Sequence, residues 1–485
     1  MMSGRAHRSL ILLAFVLLAC CIGWSSATQW RMYTVESDAS VFIVSGRHVP
    51  PSPATTTIAA ASSSSTLTDI DISVTGEDQP SSNEDRVGTH ISRQIPARTG
   101  IQQQQAIRFD WSGVSVATTV MNATRIVLSV ALDGADNSSQ AHFEVLVRDA
   151  ATPLSNQSIL YQARVIVYSA NASTIECVTL PVDDLPLLNP AQVYSVEINK
   201  RTEASGGIVY FCGMGVADDT MATDSHENEN VDHISNKKKH GKNVEIKTDE
   251  RMAMTGNKFA NPSMHRPSHH PAAAVAGRRI EWLGASLTCG FGDEGTAPCD
   301  FSWYTENNYL SHGPITSRAL KAEYHIEAWS GKGVIRNYGD TGFSVCPFPC
   351  YFNRTLANSN LLWDYGAWVP QAVVINLGTN DYWTTPYPTD DQFIDGLIGF
   401  VKQIQTAYAP YTTDIVFFLA CGPMLTGHPC DNVKAAAEKS ATYYIDIHPA
   451  LNSTDWGCDG HPNLDGQAKM TQITIPFIGS VMGWL

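Results

Sequence analysis

Between Asn122 and Cys212 apolar and polar residues alternate in short runs, at 125–132, 143–148, 159–168, 193–198 and 208–212. A period of two places successive side chains on opposite faces of an extended chain, so each run predicts a strand. Residues 29–44 and 106–111 bring the number to about seven strands, enough for an all-β, jelly-roll-like sandwich of two sheets. No helical period occurs in this region.

After Arg278 the pattern changes. Compact apolar runs at 279–283, 324–328, 372–377, 415–420 and 442–447 are separated by segments of helical length, 301–320, 390–408, 432–440 and 463–482. Strands that alternate with helices predict an α/β unit whose parallel sheet is covered on both faces. Its chemistry is expected at the carboxyl ends of the strands. Two low-complexity tracts interrupt the strands and helices, one rich in Thr, Ser and Ala at about 50–104, the other acidic, then lysine-rich, then histidine-rich at 217–277. Both read as a disordered insertion or linker. The histidines of the second tract (His226, His233, His240, His265, His269, His270) follow no metal-ligand spacing, so no metal is expected there.

At the N-terminus Arg5, His7 and Arg8 precede an apolar stretch of about 13 residues and then Ser25-Ser26-Ala27. That stretch is shorter than the roughly 20 residues that span a bilayer, so 1–27 reads as a cleaved signal peptide and the protein as secreted. The expected organisation is therefore a signal peptide at 1–27, a β-sandwich at 28–216, a linker at 217–277 and an α/β unit at 278–485. No membrane segment is expected after cleavage.

Composition narrows the partners. The 485 residues carry 32 Lys+Arg against 47 Asp+Glu, a net charge of −15, with 43% hydrophobic residues. An acidic chain does not neutralise phosphates, which excludes an electrostatic nucleic-acid binder. The sequons at Asn122, Asn137, Asn156, Asn171, Asn353 and Asn452 fit a secreted glycoprotein. Export would leave nine cysteines, most of them expected to pair. Sequence neighbours suggest Cys177 with Cys212, Cys289 with Cys299, Cys346 with Cys350, and Cys421 with Cys430 or Cys458.

The candidate chemistry begins where the first α/β strand ends, in Gly284-Ala285-Ser286-Leu287-Thr288. A Ser at a strand-to-helix turn, flanked by small residues, is placed as a nucleophile beside unpaired backbone N–H groups. Alone, the segment reads equally well as a Ser that caps the helix. Three further blocks follow in order: Ser330-Gly331, Gly378-Thr379-Asn380-Asp381 and Asp459-Gly460-His461-Pro462. Together the four resemble the SGNH (GDSL-type) hydrolases. That resemblance implies a flavodoxin-like three-layer fold, with Ser286 as nucleophile, His461 as base, and an oxyanion hole of the Ser286 and Gly331 N–H groups and the Asn380 side chain.

The longer phrases around Trp282–Gly292, Trp329–Gly333 and Asp455–Asn463 look like carbohydrate esterase family 2, whose members are secreted O-acetyl esterases acting on plant polysaccharides and carry an N-terminal β-sandwich. The resemblance implies an acetylated polysaccharide or oligosaccharide, such as xylan or glucomannan, as substrate, and no cofactor. It covers 278–485 well and the sandwich loosely.

Two positions depart from the superfamily pattern. Ala285 stands where an Asp usually precedes the nucleophile. Cys458 stands where the acid that orients the base is usual, three residues before His461, and Asp459 lies two before it. Some family 2 members work as a Ser and His dyad with a backbone carbonyl on the imidazole, and the departure at Cys458 favours that arrangement here, with the Asp459 carboxylate as the alternative. Asp381 reads as a cap, and His448 as a rival base. Eight of the eleven Trp lie after Arg278, and Trp383 and Trp456 are candidate sugar platforms. Competing functions are a broader acyl esterase, lipase or acyltransferase on the same fold, and a catalytically idle carbohydrate-binding glycoprotein.

Overall fold

The computed structural model describes residues 30–34, 41–51, 106–152, 159–169, 175–182, 184–217, 263–265, 277–449 and 451–485. The expected signal peptide, most of both low-complexity tracts, and the sequons at Asn156 and Asn171 lie outside the described residues.

The first part of the chain forms eleven described strands: β1 (Trp30–Thr34), β2 (Ile43–Ser45), β3 (Ile107–Phe109), β4 (Ser115–Met121), β5 (Arg125–Asp133), β6 (Gln140–Asp149), β7 (Ile159–Tyr168), β8 (Val178–Pro181), β9 (Tyr194–Lys200), β10 (Ile208–Ala217) and β11 (Ser263–His265). They make two antiparallel sheets, one in the order β1-β10-β5-β8 with β3 on β10, the other β11-β4-β9-β6-β7 with β2 on β4. Strand β11 corrects the expected linker: Ser263 to His265 pair with Met121 to Thr119 and extend the second sheet.

Alternation explains the core. Phe109, Leu128, Val130 and Phe211 from the first sheet meet Val116, Phe143, Val145, Val196 and Ile198 from the second in one apolar cluster. The other face of β6 and β9 is polar yet also buried, Glu144, Arg148, Glu197 and Asn199 among it. This face docks on the second half of the chain. Its charges are paired, Arg148 with Glu197 at 2.8 Å and with the Tyr309 hydroxyl at 3.1 Å, and Glu144 with Arg201 at 2.8 Å.

The second half builds a parallel sheet from β12 (Arg279–Gly284), β13 (Glu323–Ala328), β14 (Ala372–Asn376), β15 (Val416–Cys421) and β16 (Tyr443–Asp446), in the order β13-β12-β14-β15-β16. Numbered along the chain this is the doubly wound order 2-1-3-4-5, whose switch point lies between the first and third strands. Helices cover both faces. Leu283, Val373, Ile375, Phe417 and Leu419 pack under α3 (Asp390–Tyr408) and α4 (His428–Lys439), while Trp282, Val374, Phe418 and Ala420 point the other way toward α5 (Leu464–Met482). The capping box of Thr389 and Gln392 fixes the start of α3. Among the described residues no helix is long and apolar enough to cross a membrane.

Two further expectations change. The segment 301–320 is not one helix: short 3₁₀ turns at Trp303–Thr305 and Asn308–Leu310 precede α2 (His312–Ala319). The break lets Asn308 N–H bond to Arg201 at 3.0 Å and the Glu306 carbonyl accept from the Arg201 guanidinium at 3.3 Å, which a continuous helix would forbid. The expected Cys289–Cys299 pair is absent. Cys299 bonds Cys458, 159 residues away, and Cys289 is buried without a disulfide partner, while Cys177–Cys212, Cys346–Cys350 and Cys421–Cys430 form. Arg47, from the loop after β2, locks the halves together: wholly buried, it pairs with Glu281 at 2.7 Å and Glu327 at 3.0 Å beneath the parallel sheet.

Candidate active site

Three strand ends stand side by side. Gly284 of β12 is in register with Ala328 of β13 on one side and Asn376 of β14 on the other. The loops leaving these strands carry Ser286, Gly331 and Asn380, so sheet register alone places the three blocks at one edge of the sheet.

Ser286 opens the one-turn helix α1 (Ser286–Cys289). Ala285, not Ser286, is the N-cap residue, and its carbonyl accepts the Thr288 and Cys289 N–H groups at 3.0 Å. The Ser286 hydroxyl is thereby released from capping. It meets His461 instead, with Nε2 to Oγ at 2.8 Å. The helix geometry leaves the first N–H groups of α1 without intrahelical carbonyls.

His461 is held by its own loop. His461 Nδ1 lies 3.2 Å from the Asp459 carbonyl, two residues earlier. Asp459 reaches that position in a left-handed conformation, φ 50°, and its carboxylate accepts the Phe301 N–H at 3.0 Å rather than the imidazole. Cys299–Cys458 staples the loop next to this turn, and the Asp459 N–H bonds to the Cys299 carbonyl at 2.9 Å. Phe291 covers the imidazole, ring centroids 4.5 Å apart, and is itself stacked on Phe301 at 4.1 Å. Burial lowers the His461 pKa below its ordinary value of 6.5, against the opposing pull of the Asp459 and Cys458 backbone.

Gly331 sits at φ 78°, a left-handed position that a side chain adopts only with strain. The Asn380 amide donates to the Lys332 carbonyl at 2.8 Å, tying its loop to that of Gly331. Asp381 is buried and accepts the N–H groups of Val334, Ile335 and Arg336, each at 2.9 Å. It is the cap of this loop, and burial pushes its pKa up to about 6 despite those donors. Arg336 closes the arrangement by donating to the Pro386 and Thr384 carbonyls at 2.6 and 2.5 Å.

Trp383 is 58% exposed and tilts against Tyr338 at 5.3 Å, so two loops of the site share an open aromatic face. Trp456 is half-buried and bridges Pro462, next to His461. His448 stands elsewhere: Nε2 contacts the Leu425 carbonyl at 2.7 Å and Nδ1 the Asp446 carboxylate. Glu203, which the sequence did not single out, enters from the antiparallel part, and its Oε2 accepts the Ser330 N–H at 2.8 Å.

No protein-family model matches the chain. Among curated proteins it is similar to the cellulase/esterase CelE of Acetivibrio thermocellus, 32% identical over 221 residues, which are 43% of this chain and 26% of that protein. It is also 33% identical over 240 residues to an acetylxylan esterase / glucomannan deacetylase of Cellvibrio japonicus, 45% of this chain and 63% of that protein. The chain thus spans less than two thirds of the length of either relative. A solved family two carbohydrate esterase from Cellvibrio japonicus shares the fold, with a TM-score of 0.59 at 17% identity over 94% of this chain and 99% of that one. Another, from Clostridium thermocellum in complex with cellohexaose, gives 0.57 at 24% identity over 78% and 96%. The named relatives are esterases, and these two solved structures are carbohydrate esterases of family two, the same family that the sequence blocks resemble.

Proposed function

We propose that this chain is a secreted serine esterase that removes O-acetyl groups from plant-type polysaccharides, xylan or glucomannan, through an acyl-enzyme. The observation that carries the reading is the 2.8 Å contact between His461 Nε2 and Ser286 Oγ, with Nδ1 turned to the Asp459 carbonyl. In this reading the parallel-sheet part is a three-layer SGNH hydrolase domain, and the two antiparallel sheets are a sandwich that precedes it.

The Asp459 carbonyl accepts the Nδ1 proton and so leaves the Nε2 lone pair facing Ser286. Imidazole takes the Oγ proton as Oγ attacks the acetyl carbonyl carbon. The oxyanion forms between the Ser286 and Gly331 N–H groups and the Asn380 amide, whose other N–H is anchored on Lys332. When the intermediate collapses, the sugar hydroxyl leaves with the proton from His461 and the acetyl group stays on Oγ. Water, deprotonated by the same imidazole, then releases acetate and restores the serine. Lowering the His461 pKa by burial keeps the base neutral, hence competent, at neutral pH.

The Trp383 face offers a surface on which a sugar ring can stack beside the ester, with Trp456 on the base side. Export through the segment 1–27 agrees with the disulfides of the fold. Acetate release from acetylated xylan and glucomannan, compared with hydrolysis of a long-chain acyl ester, tests the substrate class. Preference for the acetylated polysaccharide supports the proposal, and preference for the long chain points to a lipase or broader acyl esterase.

A further inference from the structure

The residue that joins the antiparallel sheets to the candidate site is Glu203, in the loop between β9 and β10. It is 4% exposed. Its Oε2 accepts the Ser330 N–H at 2.8 Å, one residue before Gly331. A carboxylate oxygen of Glu203 also lies within 4.8 Å of the Cys289 sulfur, at the far end of the single helical turn that Ser286 begins. One side chain from outside the parallel-sheet part thus adjoins both the turn that presents the hydroxyl and the loop that presents Gly331.

Its own position is fixed in turn. The Lys200 ammonium donates to the Glu203 and Thr202 carbonyls, the Ser205 hydroxyl to the Glu203 carboxylate, and Asn358 to the neighbouring Ala204 carbonyl at 2.7 Å. Glu203, Cys289 and Glu306 bring their polar atoms within 4.8 Å of one another, a grouping that could be mistaken for a metal site. The Lys200 ammonium beside it donates to the Thr202 and Glu203 main-chain carbonyls, and burial together with the neighbouring Glu203 holds the Glu306 carboxyl well above the ordinary carboxylate range.

We propose that Glu203 is a positioning residue for the reaction: by accepting the Ser330 N–H, it sets the distance between the Gly331 oxyanion donor and Ser286. The inference rests on the esterase reading above. It makes the antiparallel part a component of the active site, so that part does more than carry or target the enzyme. Because displacement of a donor by about 1 Å costs up to about 10²-fold in rate, a single hydrogen bond at this place has kinetic weight.

The test uses the full chain, an activated acetate ester, and a phosphonate that forms a tetrahedral adduct on the nucleophile. Glu203→Gln retains an acceptor at the same reach, whereas Glu203→Asp retains the charge but withdraws it by one methylene. If acceptance by the side chain is what matters, Glu203→Gln keeps kcat within about threefold, and Glu203→Asp lowers kcat and the phosphonylation rate by about tenfold or more with KM little changed. Glu203→Ala should behave as Glu203→Asp does if it folds; the Asp variant carries the test if it does not. The reverse order, Asp active and Gln impaired, would show that charge in the cluster is what counts and overturn the proposal. So would a variant that lowers thermal stability while kcat and phosphonylation stay at wild-type values. The esterase reading fails separately, if wild-type protein hydrolyses no acetate ester. In that case phosphonylation rates across the variants still decide the role of Glu203.

Discussion

His461 Nδ1 faces the main-chain carbonyl of Asp459 at 3.2 Å, while the carboxylate of the same Asp459 turns away to the Phe301 N–H. The acid residue nearest to the base in sequence therefore contributes its peptide group, and its side chain braces the neighbouring loop. A carbonyl fixes the tautomer but stabilises the imidazolium less than a carboxylate does.

Asp459→Asn is expected to keep kcat within about tenfold of wild type, because asparagine tolerates the left-handed backbone and its amide oxygen still accepts the Phe301 N–H. Steady-state kinetics on an acetate ester, with folding followed by circular dichroism, check this. A loss near 10⁴, as for a triad acid, would mean that the carboxylate reaches the imidazole during turnover.

The pH profile follows from the burial of His461. In the proposed mechanism His461 is the base and works only when neutral, so activity falls as pH drops through its pKa. Burial lowers that pKa from 6.5. The acid limb of kcat/KM is expected below pH 6.5, and a limb above it would contradict a desolvated base.

Asn380→Ala should lower kcat by roughly 10² to 10³, since in the proposed mechanism its amide donates to the oxyanion. It also releases the Lys332 carbonyl from its anchor. A variant altered only in KM would place Asn380 in substrate positioning instead.

Much of this was legible in the sequence, because local pattern and local chemistry agreed. The runs at 279–283 and 372–377 are strands whose register brings Ser286 and Asn380 to one edge. The capping box at Thr389 opens the helix read at 390–408. What the sequence hid is set by distant contacts. Cys299 finds Cys458 across 159 residues, which nearest-neighbour reasoning cannot reach. The helix read at 301–320 breaks because Arg201, from the other half of the chain, takes up backbone groups of Glu306 and Asn308. Glu203 carries no signal beyond being an acidic residue in a loop between two strands. Its meaning comes only from Ser330 lying opposite.

The Cys299–Cys458 link holds the turn whose Asp459 carbonyl meets His461, so replacing both cysteines by serine is expected to cost about 2–5 kcal/mol of stability. Activity should fall with it at temperatures where the fold survives, as the Asp459 carbonyl loosens. Chemical denaturation and kinetics on the double variant measure the two effects separately. Unchanged kinetics in a destabilised protein would assign the disulfide to stability alone.

Arg47→Met tests the joint between the halves. Removing the guanidinium leaves Glu281 and Glu327 buried without their counter-ion, at a cost of roughly 3–5 kcal/mol. Urea unfolding reads this directly, and a change below about 1 kcal/mol would show that Arg47 does not hold the halves together.

The most direct test of the account is acetate released from acetylated xylan by wild-type protein and by Ser286→Ala, measured side by side with the fold of both verified. The variant deletes the hydroxyl that His461 contacts and no core side chain. The expected result is acetate from the wild type and none above background from the variant. No release by the wild type, or equal release by both, would contradict it.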